Sequence, residues 1–338
     1  MSTDCIDIHT HIVPENFPAY AGSGRDVPWP SMAEAQTCHR HVMISGKIYR
    51  TVSDGGWSVP RRIEAMGEMR VARQALSPMP ELLSHWFPSG DADALCRYIN
   101  EGIAELCAAH PRHFVGIGMV PMQDAALAAR RLEEVKSLGL RGVEIGSHVN
   151  GMPLGDACLH AVYAAAEQAG LMVMIHPLHP LGLDRMGGRP ELAAVAAFPL
   201  ETAFAAVSLM TNSITERFPR LRILLSHGGG ALPWILPRLR HAHSLGPPLN
   251  SLFSRDPGEM ARTFYYDTIL YGDVALGYLK TKVGKDRLVA GSDYPFVIKQ
   301  DRPAEFAEAA LGMARETFAN NARSLLGLEA GSAVRGAS

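Results

Sequence analysis

Cys5-Ile6-Asp7-Ile8-His9-Thr10-His11 is a short apolar run that ends in two histidines one residue apart. It reads as a strand. Residues i and i+2 of a strand point the same way, so both imidazoles project to one side of its C-terminal end. Seven comparable runs follow, at 71–77, 114–120, 142–146, 171–176, 222–227, 264–268 and 287–292. Helical patterns separate them, at 61–69, 92–110, 124–138, 157–169, 199–218, 231–245 and 273–283, with 303–326 closing the chain. Short continuous apolar runs suit strands buried on both faces. Eight strand–helix units predict a parallel α/β fold, a single (β/α)8 TIM barrel over 1–338 with a long insertion at 13–60 after the first strand. An open doubly wound sheet would carry a glycine-rich phosphate turn after its first strand, and none is present. Gly228-Gly229-Gly230 follows a later run but lacks that spacing and a Lys-Ser/Thr tail.

Composition narrows the function classes. The chain has 338 residues, 47% hydrophobic and 20% charged, which is ample for a core. A net charge of -2 without a basic run gives no nucleic-acid surface. Residues 1–5 lack the charged and apolar regions of a signal peptide, and no uninterrupted apolar run approaches the roughly 18 residues of a membrane span. Five cysteines without Cys-x-x-Cys spacing read as free thiols in a reducing, cytoplasmic setting. The stretch 13–60 is rich in Gly, Pro and Ser and reads as an irregular lid or pocket wall. The end from Gly327 onward is small and polar and reads as frayed.

In a barrel, chemistry sits at the C-terminal ends of the strands. Those ends supply His9, His11, His176, His227 and Asp293, besides Ser77, Pro121 and Thr268, which are poor ligands. Imidazoles with one carboxylate suit a single divalent ion, Zn²⁺ best, with Mn²⁺, Fe²⁺ or Co²⁺ open. His9, His11, His176 and Asp293 would hold it and leave room for water or substrate. His227 then falls to acid or base work, since an ion acidifies bound water and an adjacent imidazole can take its proton.

His9-Thr10-His11, Ile175-His176-Pro177, Ser226-His227-Gly228-Gly229-Gly230 and Gly291-Ser292-Asp293-Tyr294-Pro295-Phe296 together resemble the amidohydrolase-2 branch of the amidohydrolase superfamily. The likeness is greatest to its aminocarboxymuconate-semialdehyde decarboxylase group, and takes in Gly46-Lys47-Ile48-Tyr49-Arg50, Ile145-Gly146-Ser147-His148-Val149 and Arg185-Met186. It implies a zinc-dependent, oxygen-independent decarboxylase without an organic cofactor. His9, His11, His176 and Asp293 match its ligand positions and His227 its catalytic histidine. Arg50 matches an arginine that binds a substrate carboxylate, and Arg238 one that the family's dimers lend to the neighbouring site. Two segments depart from the family: Glu191-Leu192-Ala193-Ala194-Val195-Ala196-Ala197, where relatives carry tryptophans, and Leu178-His179-Pro180-Leu181-Gly182. Both would line the pocket, so the substrate can differ where the chemistry does not.

Further substrate contacts are expected at Lys47, Phe296 and His179, each with a plainer alternative. Lys47 and Arg50 could be solvated loop charges, Phe296 could fill the rim, and His179 could bond locally. The leading function is non-oxidative decarboxylation of a small planar carboxylate, aromatic, heteroaromatic or muconate-type. His227 would act on metal-bound water, or Asp293 would handle the proton of a phenolic substrate that chelates the ion. A metal-dependent hydrolase of a lactone, amide or C–C bond uses the same scaffold, and a non-catalytic metal protein would not need His227. The expected partners are a small-molecule carboxylate and a second copy of the chain, with no nucleic acid or membrane.

Overall fold

The computed structural model describes residues 5–24 and 27–328. The expectations for residues 1–4 and for the tail beyond 328 lie outside the described residues. Thirteen strands run in chain order among those described. They are β1 (Ile6–Ile12), β2 (Ser31–Glu34), β3 (His39–Ile44), β4 (Lys47–Ser53), β5 (Arg73–Pro78), β6 (Phe114–Gly116) and β7 (Gly142–Gly146). After them come β8 (His148–Val149), β9 (Met152–Pro153), β10 (Met172–His176), β11 (Ile223–Leu225), β12 (Tyr265–Asp267) and β13 (Leu288–Val289). The helices are α1 (Val59–Met69), α2 (Ser89–Ala109), α3 (Ala125–Ser137), α4 (His160–Ala169), α5 (Phe198–Thr211) and α6 (Ile214–Arg217). They continue with α7 (Leu232–Ser244), α8 (Pro257–Ala261), α9 (Asp273–Val283), α10 (Pro303–Leu311) and α11 (Arg315–Leu326).

The expected alternation of strand and helix is present, and the eight expected runs pair in parallel. They form two sheets, ordered β1-β5-β6 and β13-β12-β11-β10-β7. Backbone bonds join the sheets at both edges: Ile8 N to Ala290 O at 2.9 Å and Asp293 N to His9 O at 2.9 Å, then Gly118 N to Gly142 O at 2.9 Å and Glu144 N to Gly118 O at 2.8 Å. Side chains alternate as a doubly buried strand requires. Met172 and Met174 point into an inner cluster with Ile6, Ile8, Val115, Leu224 and Val289. Val173 and Ile175 pack outward in the larger core with the helices. Ala322, Leu325 and Leu326 of α11 join the inner cluster. Burying each leucine there is worth about 1.5–3 kcal/mol.

Two expectations change. The segment 13–60 is not irregular: β2, β3 and β4 form an antiparallel sheet. Its hairpin turns through Ser45 and Gly46, with φ of +52° and +70°, a two-residue turn whose twist matches the strands it joins. Val42 and Val52 of this sheet are buried in the main core. The 199–218 helix breaks at Ser213, φ +55°, whereas the closing helices expected over 303–326 are present as α10 and α11, parted at Gly312, φ +59°. Ala193–Thr211 is one helical stretch of 19 residues, long and apolar enough by length and composition to cross a membrane, but not an uninterrupted apolar run. Glu201, Thr202 and Ser208 interrupt its apolar sequence, and Ala203, Ala206 and Leu209 lie in the core.

Candidate active site and metal centre

The pairing of β1 with β5 shifts register between Asp7 and Thr10. Such a bulge re-aims side chains, and this one brings His9 and His11 to the site while Ile6 and Ile8 stay in the inner cluster. Each ring is held from behind. His9 Nδ1 lies 2.7 Å from Asp267 Oδ2, His11 Nδ1 lies 3.0 Å from the Pro78 carbonyl, and His176 Nδ1 lies 2.9 Å from the Pro177 carbonyl. An oxygen acceptor at Nδ1 puts the proton there and leaves the Nε2 lone pair facing forward. His9 Nε2 and His11 Nε2 then stand 3.0 Å apart. Two lone pairs at that distance repel unless a cation or proton lies between them. His176 Nε2 and Asp293 Oδ1 are buried without a hydrogen-bond partner. Asp293 Oδ1 is 3.2 Å from His11 Nε2 and 3.6 Å from His9 Nε2. This set of inward lone pairs and one carboxylate fits a single divalent ion.

His227 belongs to the same cluster. One donor atom each from His9, His176, His227 and Asp293 lies within 4.8 Å of the others. His227 Nε2 is 3.7 Å from Asp293 Oδ2, and its Nδ1 has no partner. His227 and Asp293 both have positive φ, +54° and +67°, the kind of backbone strain that collects at functional sites. The glycine run beside His227 is required by packing. A Cβ at Gly230 would meet the Pro199 carbonyl oxygen at 1.9 Å, so only glycine lets α5 approach this turn.

Burial and charge act against each other here. Burial pushes Asp293 upward, but the imidazoles of His11, His227 and His9 facing it hold it well below the usual carboxylate range. Burial and then the facing His11 and His227 keep His176 well below the ordinary histidine value. Burial lowers His9 as well, against the pull of Asp267. His11 is raised, because Glu144 and Asp293 outweigh its burial. Neutral imidazoles and an ionised carboxylate are the forms that ligate cations.

Several residues here lie outside the strand ends from which the site was read. Asp267 accepts from His9 and also from the backbone N–H groups of His227 and Gly228, each at 2.9 Å. It lies one residue before Thr268, the strand end read from sequence. Glu144, inside β7, is 3.6 Å from His11 Nδ1, and burial pushes its carboxyl up to about 7. Arg62 is buried, donates to the His11 carbonyl and lies 4.8 Å over the Tyr294 ring. A carboxylate within an otherwise apolar strand was the available signal for Asp267 and Glu144.

Above the cluster is a cavity of about 410 Å³, a size ordinary for small-molecule sites. Arg50, Glu81, His176, His227, Asp293 and Phe296 line it, with an apolar wall that includes Leu178, Ala194, Val195, Phe198 and Trp234. Both departing segments therefore contribute. Arg50 is not a solvated loop charge: its Nη2 donates to Glu81 Oε1 at 2.7 Å and its guanidinium lies 4.5 Å over the Phe296 ring. Lys47, His179 and Arg238 are exposed and are not among the lining residues. His179 packs against Trp86 with ring centroids 4.5 Å apart, and its carbonyl faces His148 Nε2 at 3.2 Å. Arg238 lies one turn beyond the cavity-lining Trp234 on α7.

The chain is similar to known proteins over most of its length. The amidohydrolase family model matches residues 6–328. The chain is 32% identical over 332 residues to 2-amino-3-carboxymuconate-6-semialdehyde decarboxylase of Dictyostelium discoideum, covering 96% of this chain and 92% of that one. Its fold is similar to that of 5-carboxyvanillate decarboxylase from Sphingomonas paucimobilis, with a TM-score of 0.72, 28% identity, and coverage of 82% of this chain and 85% of the other. A dihydroxybenzoic acid decarboxylase from a Polaromonas species, solved with manganese and 2-nitroresorcinol, matches with a TM-score of 0.72 and 26% identity over 81% of this chain and 88% of that one. Family match, long-range identity and the histidine–aspartate centre agree, and the chain belongs to the amidohydrolase family.

Proposed function

We propose that this chain is a metal-dependent, non-oxidative decarboxylase of a small planar carboxylate. The observation that carries this reading is the set of inward Nε2 atoms, with Asp293, at one end of an apolar cavity. The backbone bonds that join the two sheets at both edges support reading the eight parallel strands as one closed (β/α)8 barrel, a single domain with 13–60 as a pocket wall. His9, His11, His176 and Asp293 would hold the ion, and Zn²⁺ suits three imidazoles and a carboxylate, with Mn²⁺ close behind. When bound, the ion supplies positive charge to hold an anionic oxygen of the substrate.

The reaction replaces CO₂ by a proton at one carbon. The C–C bond to the carboxylate breaks, its electron pair stays on the ring carbon, and a proton arrives there. His227 borders the cavity with its backbone held by Asp267, and its imidazole would move that proton. Asp293 faces His227 and steadies the protonated imidazole. The apolar wall favours turning a charged carboxylate into neutral CO₂. Phe296 and the Arg50 guanidinium stacked on it offer a flat contact for a planar ring. Arg238, outside its own cavity, would serve a neighbouring subunit in a homodimer. The five cysteines are free, in keeping with a reducing, cytoplasmic setting.

The test is a panel of aromatic, pyridine and muconate acids with the metal-loaded protein. CO₂ release from a member of the panel supports the reading. A new carboxylic acid formed from a lactone or amide, without CO₂ release from any acid, would assign the scaffold to hydrolysis.

A further inference from the structure

Arg50 is the one Lys or Arg among the described residues lining the cavity. Its charge is already used: Glu81, 4% exposed, accepts from Nη2 at 2.7 Å. The second Glu81 oxygen, Oε2, is buried with no partner. An unpartnered carboxylate oxygen accepts a hydrogen bond from a substrate donor and repels a second anion. No other cation lines the wall: Leu178, Val195, Ile269, Leu270 and Ile298 are apolar, and Trp234 and Tyr271 offer only neutral donors. A carboxylate buried there without a partner pays a desolvation cost that the charge-balanced arginine does not return.

We propose that the cavity selects a ring bearing a single carboxylate and a hydroxyl or amino donor, and rejects a second carboxylate, because Glu81 neutralises Arg50. This rests on the reading above, in which that one carboxylate sits at the histidine–aspartate centre. Glu81 is then a specificity-determining residue, and the relatives divide into those whose substrates carry one carboxylate and those whose substrates carry two. Even with Arg238 supplied at the rim by a second copy, the inner wall around Arg50 stays balanced.

Calorimetric binding to the metal-loaded protein tests this with three probes: 3-hydroxybenzoate, 5-hydroxyisophthalate and 3-methoxybenzoate. The hydroxy monoacid should bind about tenfold tighter than either of the other two. Glu81→Gln frees Arg50 and should shrink the gap to the diacid to about threefold or reverse it. The Arg50→Met/Glu81→Gln pair, which removes both charges, should still bind the monoacid more tightly than the diacid, whatever it costs both acids. The proposal is overturned by a diacid that binds wild type as tightly as the monoacid, by an unchanged ratio in Glu81→Gln, or by no binding of either acid. Binding in the expected order with no CO₂ release from any acid would remove the decarboxylase reading and leave the selectivity standing. CO₂ release with the diacid preferred would remove the selectivity alone.

Discussion

His176 spends Nδ1 on the Pro177 carbonyl and leaves a buried Nε2 with nothing to bond, and Asp293 Oδ1 is in the same position. Leaving such atoms unpaired costs about 1–3 kcal/mol each, which a bound cation would offset. His176→Ala and Asp293→Ala should therefore lose most of their metal by elemental analysis while keeping the fold. Full metal content in both would remove them from the ligand set. His227 sits in the same cluster by distance, so metal content also decides its role. His227→Ala should retain metal and lose about 10²–10⁴-fold in turnover, the usual contribution of an acid–base group. Loss of metal in step with activity would make it a ligand instead. The five cluster residues were legible because each ends an apolar run. Asp267, Glu144 and Glu81 were not, because their partners are remote in sequence. Glu81 meets Arg50 across 31 residues, and His9 meets Asp267 across 258. The pairing of Arg50 with Glu81 was hidden for that reason.

At the scale of elements, α7 carries Trp234 into the cavity wall and Arg238 one turn further out, exposed. Trp234 is 63% exposed and stacks on Tyr278, while Phe204 of α5 and Val274 of α9 are 57% and 78% exposed. Bulky exposed apolar side chains near a cavity mouth suit a covering subunit. If Arg238 completes a neighbour's site, Arg238→Ala and His227→Ala should each be nearly inactive alone. Mixing them with subunit exchange should restore part of the activity, because a mixed dimer keeps one intact site. No recovery despite demonstrated exchange would make Arg238 a same-chain or structural residue. Apolar runs and helical spacing located the elements well, with the strand Gly142–Gly146 and the helix Asp273–Val283 matching their expected ranges. The sheet in 13–60 was hidden because its strands mix polar and apolar residues and are only half buried; the Ser45-Gly46 turn was the overlooked sign.

For the whole molecule, His85 makes stability sensitive to acid. It is 2% exposed, and burial above all, helped by the His148 and His179 charges, lowers its pKa to about 4. The unfolded chain takes up this proton below about 6.5, while the folded chain refuses it until about 4. Stability is therefore lost as pH falls through that window, by about 2 kcal/mol between pH 7.5 and 5. Urea unfolding should show His85→Gln losing less stability than wild type over this range, and equal losses would contradict the assignment. The alternation of strand and helix and the net charge were readable from composition and spacing, whereas the contents of the cavity depend on side chains that only folding brings together. The central claim is the exchange of CO₂ for a proton at one carbon, and its most direct test is turnover of a hydroxybenzoate-class acid by metal-loaded protein in ²H₂O. The account predicts CO₂ and an arene in equal amounts, with deuterium only at the carbon that lost the carboxylate. Turnover without CO₂, or CO₂ release with no deuterium at that carbon, would contradict it.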